Sequence, residues 1–245
     1  MSIKLEVCID SVASALAAEK AGAHRLELCG NLAEGGTTPS TGMVQMIQAV
    51  CTLPIMMMIR PRGGDFLYSR MEFAVMEREI EEAKRLGVMG IVLGLLTKDG
   101  QIDKSRTARL IERARPMQVT FHRAFDMCRD PLEGLKVLRD LNVDRLLTSG
   151  LEASAPEGSA LLSKLVKKAA NKLIIMPGGG INADNVAKLV AETGVKEVHA
   201  TGSEVYPSEM AFRNDKIYMG VPGMPEYSLK QSSPEKLKAI LAAIS

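Results

Sequence analysis

Clusters of like charge are missing from this sequence. Its 31 Lys and Arg residues nearly balance its 29 Asp and Glu residues, the formal net charge is +2, and no run of five like charges occurs. Proteins that bind nucleic acids or membrane surfaces draw their binding energy from clustered Lys and Arg side chains. The charge pattern therefore predicts neither a nucleic acid nor a membrane as a partner.

Long apolar runs are missing as well. No stretch approaches the roughly 18 uncharged apolar residues of a membrane span, and charged residues interrupt the N-terminal region where a secretory signal needs an apolar core. Cysteine is scarce, and without a signal the four cysteines predict reduced thiols rather than a disulfide framework: Cys8, Cys29, Cys51 and Cys128. We therefore expect a cytoplasmic globular protein.

Short motifs that define metal or nucleotide sites are also absent. The sequence contains no HExxH, no CxxC and no P-loop pattern, and its three His residues do not pair at metal-ligand spacing. No organic cofactor is predicted.

Eight short β-prone runs are present, and each is followed by a segment with a helical pattern. They occupy residues 5–8, 25–28, 55–59, 90–93, 119–122, 145–148, 173–176 and 197–200. Alternation of this kind predicts a parallel sheet with right-handed crossovers, and eight units in one chain favour closure. We predict an α/β fold, a single (β/α)8 TIM-type barrel domain over residues 1–245. An open doubly wound sheet is the alternative.

Cap signals support these boundaries. Asp130 and Ser233 each precede a proline, which is typical of a helix start, and Asn182 and Asp103 are predicted to cap two further helices. Glycines follow several helical runs where a left-handed residue is wanted. One long connection, residues 201–232, follows the eighth strand; long connections in compact domains are usually functional or cover something.

Strand alternation assigns several charged residues to the barrel interior. Side chains alternate between the two faces of a strand, which places Glu6, Glu27, Arg60 and His122 opposite the apolar, helix-facing side. Barrel interiors are normally filled by branched apolar side chains. One interpretation is a Glu27–Arg60 ion pair that only orders the core. The other, which we favour, is a polar pocket at the carboxyl ends of the strands, where barrel enzymes keep their chemistry.

The loops at these strand ends carry candidate residues for an anionic ligand. A Gly-rich turn after strand seven is predicted to run into the helix capped by Asn182, and loops after strands seven and eight of barrels often bind phosphate. The candidates for anion or substrate binding are Arg60, Arg62, Arg123, Ser149, Gly178, Gly179 and Gly180. The candidates for acid–base chemistry are Glu6, Glu27, His122 and Asp126.

Two cysteines are predicted to lie at matching heights on adjacent strands. Cys8 and Cys29 both face inward near the mouth, and adjacent strands lie roughly 4.8 Å apart. Thiolates and thioethers select Cu(I) or zinc, with Met58 as a third sulfur donor. The alternative is a pair of buried free thiols, a common core arrangement.

Several strings resemble the CutC family of copper homeostasis proteins. RPRGGDF at residues 60–66 and TFHRAFD at residues 120–126 are the most specific, and the likeness extends through residues 26–29, 34–40, 147–150, 176–180, 212–214 and 226–228. The resemblance implies a cytoplasmic TIM-type barrel, a homodimer or larger homo-oligomer, and Cu(I) binding by the cysteines that correspond to Cys8 and Cys29.

Two functions follow. The first is a copper homeostasis protein that binds Cu(I) through Cys8 and Cys29. The second is a barrel enzyme acting on a small anionic or phosphorylated metabolite, with Glu6 or Glu27 as general base, His122 as acid or electrophile, and Arg60 with Arg62 as a clamp.

Overall fold

The chain folds into eight strand–helix units. The structure, a computed structural model, describes residues 3–217, 219 and 225–245. The barrel strands are β1 Lys4–Ile9, β2 Arg25–Leu28, β3 Ile55–Met58, β4 Gly90–Leu93, β5 Gln118–Phe121, β6 Arg145–Thr148, β7 Ile174–Pro177 and β8 Glu197–Ala200. The helices are α1 Val12–Ala21, α2 Thr41–Val50, α3 Arg70–Leu86, α4 Lys104–Ala114, α5 Pro131–Asp140, α6 Ser159–Ala169, α7 Val186–Thr193 and α8 Pro234–Ala243.

The strands form one parallel sheet whose two ends meet. Its order is β7-β6-β5-β4-β3-β2-β1-β8, and a parallel bridge between Gly178 and His199 joins the β7 end to β8. The predicted TIM-type barrel is therefore confirmed, and the open doubly wound alternative is wrong. Among the described residues, no helix is both long and apolar enough to cross a membrane.

Alternation along the strands separates a dry outer layer from a mixed interior. On β1, Leu5, Val7 and Ile9 are fully buried and belong to the apolar layer between the strands and the helices. A second, smaller apolar cluster lies among the inward-facing residues: Cys8, Cys29, Met56, Met58 and Val92. The interior is thus partly apolar, and it also holds buried charged groups such as Glu6, Arg25 and Arg145.

The long connection after β8 contains a two-stranded antiparallel hairpin. Its strands are β9 Ser203–Pro207 and β10 Ser228–Ser232. The amide of Ser232 donates a hydrogen bond to Ser14 Oγ in α1 at 3.0 Å, which ties the hairpin to the first helix. Residues 218 and 220–224 of the predicted connection lie outside the described residues.

The predicted cap at Asn182 is wrong. Helix α7 begins at Val186, with Asn185 as its cap residue. The Asn182 side chain instead accepts a hydrogen bond from the amide of Asp184 at 2.9 Å and so closes a turn. The Gly-rich turn therefore does not run directly into a helix N-terminus. The caps predicted at Asp103, Asp130 and Ser233 do lie at helix starts.

Candidate metal centre and cavity at the barrel mouth

A cavity of about 840 Å³ opens at the carboxyl ends of the barrel strands. The strand ends supply Cys8, Glu27, Met58, Arg60, His122 and His199, and the turn after β7 supplies Gly179 and Gly180. Residues of the hairpin, including Ser203 and Lys230, form one side of the rim. The volume of the cavity is in the range typical of small-molecule sites.

A network of buried ion pairs lies beneath this cavity. Arg25 forms ion pairs with Glu6 and, at 2.6 Å, with Glu197. Arg145 reaches the same Glu197 oxygen at 2.5 Å. The four side chains are almost fully buried, so each charge requires the others. Glu6, a sequence candidate for the general base, belongs to this network and is not among the residues that line the cavity.

Above the network, Cys8, Glu27 and His199 form a compact cluster. One ligand atom from each lies within 4.8 Å of the other two, and His199 Nε2 is 3.1 Å from Glu27 Oε1. The parallel register sets Cys8 opposite Glu27, so the prediction that Cys8 and Cys29 lie at matching heights is wrong. Cys29 is two residues farther along; its thiol donates to Glu27 Oε1 at 3.8 Å.

Glu27 and His199 stabilise each other as a charged pair. Burial by itself lowers the pKa of His199, but the Glu27 carboxylate raises that pKa well above its ordinary value of 6.5. Burial likewise raises the pKa of Glu27, but the charge and hydrogen bond of His199 outweigh burial, so the pKa of Glu27 is lowered from its ordinary value of 4.5. The Glu27–Arg60 pair considered from the sequence is therefore wrong, since the partner of Glu27 is His199. Glu27 Oε2 has no hydrogen-bond partner among the described residues.

The two thiols are protonated in this environment. The hydrogen bond with Cys29 and burial raise the pKa of Cys8 well above 9.0. For Cys29, the hydrogen bond with Cys8 lowers the pKa, but burial and the Glu27 charge outweigh it and the net shift is upward. A metal ion that took both sulfurs as thiolates would have to displace their protons.

The donor set of this cluster fits a soft metal ion. The Cys8 thiol and the His199 imidazole belong to it, and the Cys29 thiol and the Met58 thioether lie beside it; Cu(I) prefers such ligands over hard oxygen donors such as the Glu27 carboxylate. The low exposure of Cys8 and Cys29, 6% and 1%, would shield such an ion from water.

His122 is a neutral imidazole beside the cavity. Its Nδ1 accepts a hydrogen bond from the amide of Ala124 at 3.1 Å, so its proton is on Nε2. Burial, together with the charge of Arg60, lowers the pKa of His122 to about 4. Nε2 is buried and has no partner among the described residues. This geometry suits a hydrogen-bond donor better than a charged acid.

Arg60 donates most of its hydrogen bonds to backbone carbonyls. Its two terminal nitrogens donate to Glu34, Gly36 and Gly64, each at 2.9 Å, while Nε has no partner among the described residues. Arg62 lies outside the cavity lining and pairs with Glu72 and Asp65. Both guanidinium groups order the loop after β3, which leaves little of either to clamp a ligand.

Asp126 organises the loops after β5 and β6. It accepts hydrogen bonds from the Thr148 hydroxyl, from the amides of Ser149 and Leu151, and from Arg123 Nε at 2.7 Å. Arg123 Nη2 donates to Ser149 Oγ at 2.8 Å. Asp126 therefore positions Arg123, which lines the cavity beside Gly179.

His199 is the site residue that the sequence reasoning missed. The signal was available: Glu197 and His199 alternate with apolar Val198 on β8, and barrel closure pairs that strand with β1, where His199 lies opposite Glu6. Assigning a face to β8, as for the other strands, places both residues inside. The same alternation would have found Arg145.

Comparison with known proteins identifies the family. Residues 3–204 match the CutC family. This chain belongs to the CutC family. A human copper homeostasis protein cutC homolog is 46% identical over 239 residues, with 97% of this chain and 88% of the human protein covered. A CutC family protein from Chromobacterium violaceum is 45% identical over 240 residues and covers 98% of this chain and 97% of its own length.

A solved CutC structure supports the fold. The CutC protein from Streptococcus agalactiae superposes with a TM-score of 0.77 at 35% identity, covering 81% of this chain and 98% of that protein. The predicted family resemblance is thus confirmed, and with it membership in a copper homeostasis family.

Proposed function

We propose that this CutC protein binds Cu(I) at the barrel mouth, with Cys8 and Cys29 as thiolate ligands and His199 as a third. The observation that carries the proposal is the Cys8–Glu27–His199 cluster with the Cys29 thiol beside it. Soft sulfur ligands and imidazole suit Cu(I). Glu27 would remain a carboxylate that offsets the positive charge of the metal.

Binding is expected to release protons. The raised pKa values of Cys8, Cys29 and His199 mean that all three ligands are protonated near neutral pH before the metal arrives. Each proton released makes the apparent affinity for Cu(I) rise with pH. All four cysteines are free thiols, which supports a reducing compartment, and we propose the cytoplasm as the site of action.

A competition titration of reduced protein with Cu(I) against a strong chelator tests this function. Wild type should bind one equivalent, and the Cys8→Ser/Cys29→Ser double variant should lose that binding. The matched control is Cys51→Ser/Cys128→Ser, which removes two buried thiols outside the cluster. Equal affinity in wild type and the first double variant would overturn the proposal.

The resemblance also predicts a homodimer or larger homo-oligomer. Sedimentation velocity of the apoprotein and of the Cu(I)-loaded protein tests this prediction. A single monomeric species at all concentrations would contradict it.

A second candidate function is an enzyme for a small anionic metabolite. It is supported by three residues that line the cavity, Glu27, Arg60 and His122, because each keeps one buried polar atom with no partner among the described residues. Buried polar groups are normally hydrogen-bonded, and a polar ligand would supply the missing partners. Glu27 would be the general base and His122 a neutral electrophile, while Glu6 and Asp126 would be positioning residues.

Thermal shift measurements against a panel of small phosphorylated and carboxylated metabolites test the second candidate. One class of compound should raise the Tm of wild type, and Glu27→Gln should bind it without converting it to product. A panel in which no compound raises the Tm would count against an enzyme.

A further inference from the structure

Arg123 and the turn after β7 form a cationic corner at the rim of the cavity. We propose that this corner binds a phosphate group, with Arg123, the amides of Gly180 and Ile181, and Lys230 as its donors. The proposal deepens the second candidate function, because it names the group by which a substrate would be held: a small phosphate monoester.

Arg123 is oriented before any ligand arrives. Its Nε donates to Asp126 at 2.7 Å and its Nη2 donates to Ser149 at 2.8 Å. Nη1 has no acceptor among the described residues, and the side chain is 43% exposed toward the mouth. A guanidinium fixed by two bonds loses little conformational entropy when the remaining donor binds an oxyanion.

The charge of Asp126 does not cancel that of Arg123. Asp126 also accepts hydrogen bonds from the Thr148 hydroxyl and from the backbone amides of Ser149 and Leu151. Hydrogen bonds of this kind disperse a carboxylate charge. Arg123 therefore keeps a net attraction for a second anion at its free edge.

The turn after β7 lets an oxyanion approach the backbone. Gly179 and Gly180 have φ values of +102° and +72°, which favour glycine, and a Cβ on Gly179 would lie 3.2 Å from Arg123 Nη1. The carbonyl of Gly179 accepts a hydrogen bond from the amide of Ala155, and the carbonyl of Gly180 accepts one from the Asn185 side chain. The amides of Gly180 and Ile181 have no acceptor in the described part of the chain.

The balance of charge around the cavity favours an anion. Three cationic side chains line it, Arg60, Arg123 and Lys230, against the carboxylates of Asp10 and Glu27. A phosphate group offers acceptor oxygens in several directions at once, so it can accept from a guanidinium, two amides and an ammonium that line the same cavity.

Titration of the wild-type protein with inorganic phosphate at constant ionic strength tests the proposal, with amide NMR shifts of Gly180 and Ile181 as the readout. We expect saturable shifts at this turn. Arg123→Gln should weaken binding about tenfold, the loss of one charge-assisted hydrogen bond. Lys230→Gln should weaken it by a smaller factor. Arg70→Gln, an exposed arginine outside the cavity, is the matched control and should bind as wild type does.

The outcomes separate the subsite from the other proposals. Acetate that binds as tightly as phosphate would overturn the phosphate assignment in favour of a carboxylate. Equal phosphate affinity in Arg123→Gln and wild type, or no saturable shift, would overturn the site itself. Because the Cys8→Ser/Cys29→Ser variant should retain phosphate binding, a failed copper site leaves this test intact. Phosphate binding without turnover of any phosphorylated compound would remove the enzyme and keep the subsite.

Discussion

The two histidines of the barrel mouth have opposite charge states because their neighbours differ. His199 faces the Glu27 carboxylate, and its pKa is raised. His122 is buried beside Arg60, and its pKa is lowered to about 4. The first is a cation, which the proposed metal ion would have to deprotonate, and the second is a neutral donor throughout the physiological range.

His122 should make the folded state sensitive to mild acid. Its pKa is lower in the folded state than its ordinary value of 6.5, so its contribution is complete above pH 6.5 and is lost as the pH falls toward 4. Between pH 7 and pH 5, wild type should lose about 2 kcal/mol of unfolding free energy that His122→Asn does not lose. Asn can still accept the hydrogen bond from Ala124. Urea unfolding at both pH values measures the difference; parallel pH dependence of the two proteins would contradict it.

Strand alternation was enough to place Glu27, Arg60 and His122 inside the barrel. It was not enough to name their partners. Alternation assigns a face to a residue, but long side chains of an eight-stranded barrel can reach several strands, and the register that sets Cys8 opposite Glu27 depends on the whole sheet. The expected Glu27–Arg60 pair therefore did not form, while the Glu27–His199 pair did.

The buried ion network is a feature of four strands rather than of one residue. Arg25 and Arg145 share Glu197, so the network joins β2, β6 and β8 and reaches β1 through Glu6. Removing one partner of a buried network leaves an uncompensated charge. Glu197→Ala should lower the free energy of unfolding by about 3–5 kcal/mol.

The matched control for that variant is Glu192→Ala on the surface of α7. Glu192 pairs with Lys188 at 3.7 Å with 44% of its side chain exposed, and its removal should change stability by about 0.5 kcal/mol or less. Denaturant unfolding compares the two. Similar losses would show that the network is not essential to the barrel.

The start of α6 is packed against the loop after β6 with no room for a side chain. A Cβ on Gly158 would lie 1.9 Å from the carbonyl oxygen of Ser149, a backbone atom that cannot move cheaply. Gly158→Ala should destabilise the protein by about 1–3 kcal/mol and displace Ser149 from Arg123.

Gly42→Ala is the control for this substitution. Nothing lies within 4 Å of its Cβ position in α2, and a helical Gly→Ala change should be neutral or stabilise by up to about 1 kcal/mol. Thermal unfolding distinguishes the pair. Equal Tm values for the two variants would contradict the packing argument.

Most elements were predictable because local signals agreed with the tertiary structure. Apolar alternation marked the strands within a residue or so, and glycines such as Gly22, Gly87 and Gly194 ended helices in the left-handed conformation. The helix cap predicted at Asn182 was wrong because an asparagine side chain can either cap a helix or close a turn, and only the tertiary structure decides between the two.

At the scale of the whole molecule, the barrel closes through a single bridge. β1 and β2 pair at four positions, whereas β7 and β8 are joined only by the Gly178–His199 bridge among the described residues. Opening this seam breaks fewer hydrogen bonds, so hydrogen exchange should be faster at the amides of Gly178 and Gly179 than in β1.

Cu(I) held by His199 should slow exchange at that seam, because the ligand and the bridge share one residue. Peptides from β4 and β5 are the internal control and should be unaffected. Hydrogen-exchange mass spectrometry with and without one equivalent of Cu(I) measures both. Protection that is equal in all strands, or unchanged by Cu(I), would contradict this view of the seam.

The proposed copper site is tested most directly by X-ray absorption at the copper K-edge of the one-to-one Cu(I) complex. Ligation by Cys8, Cys29 and His199 predicts a three-coordinate Cu(I) spectrum with two sulfur scatterers and one nitrogen, and the loss of the nitrogen scatterer in His199→Asn. A spectrum with oxygen and nitrogen ligands only, or one that Cys8→Ser/Cys29→Ser leaves unchanged, would contradict it.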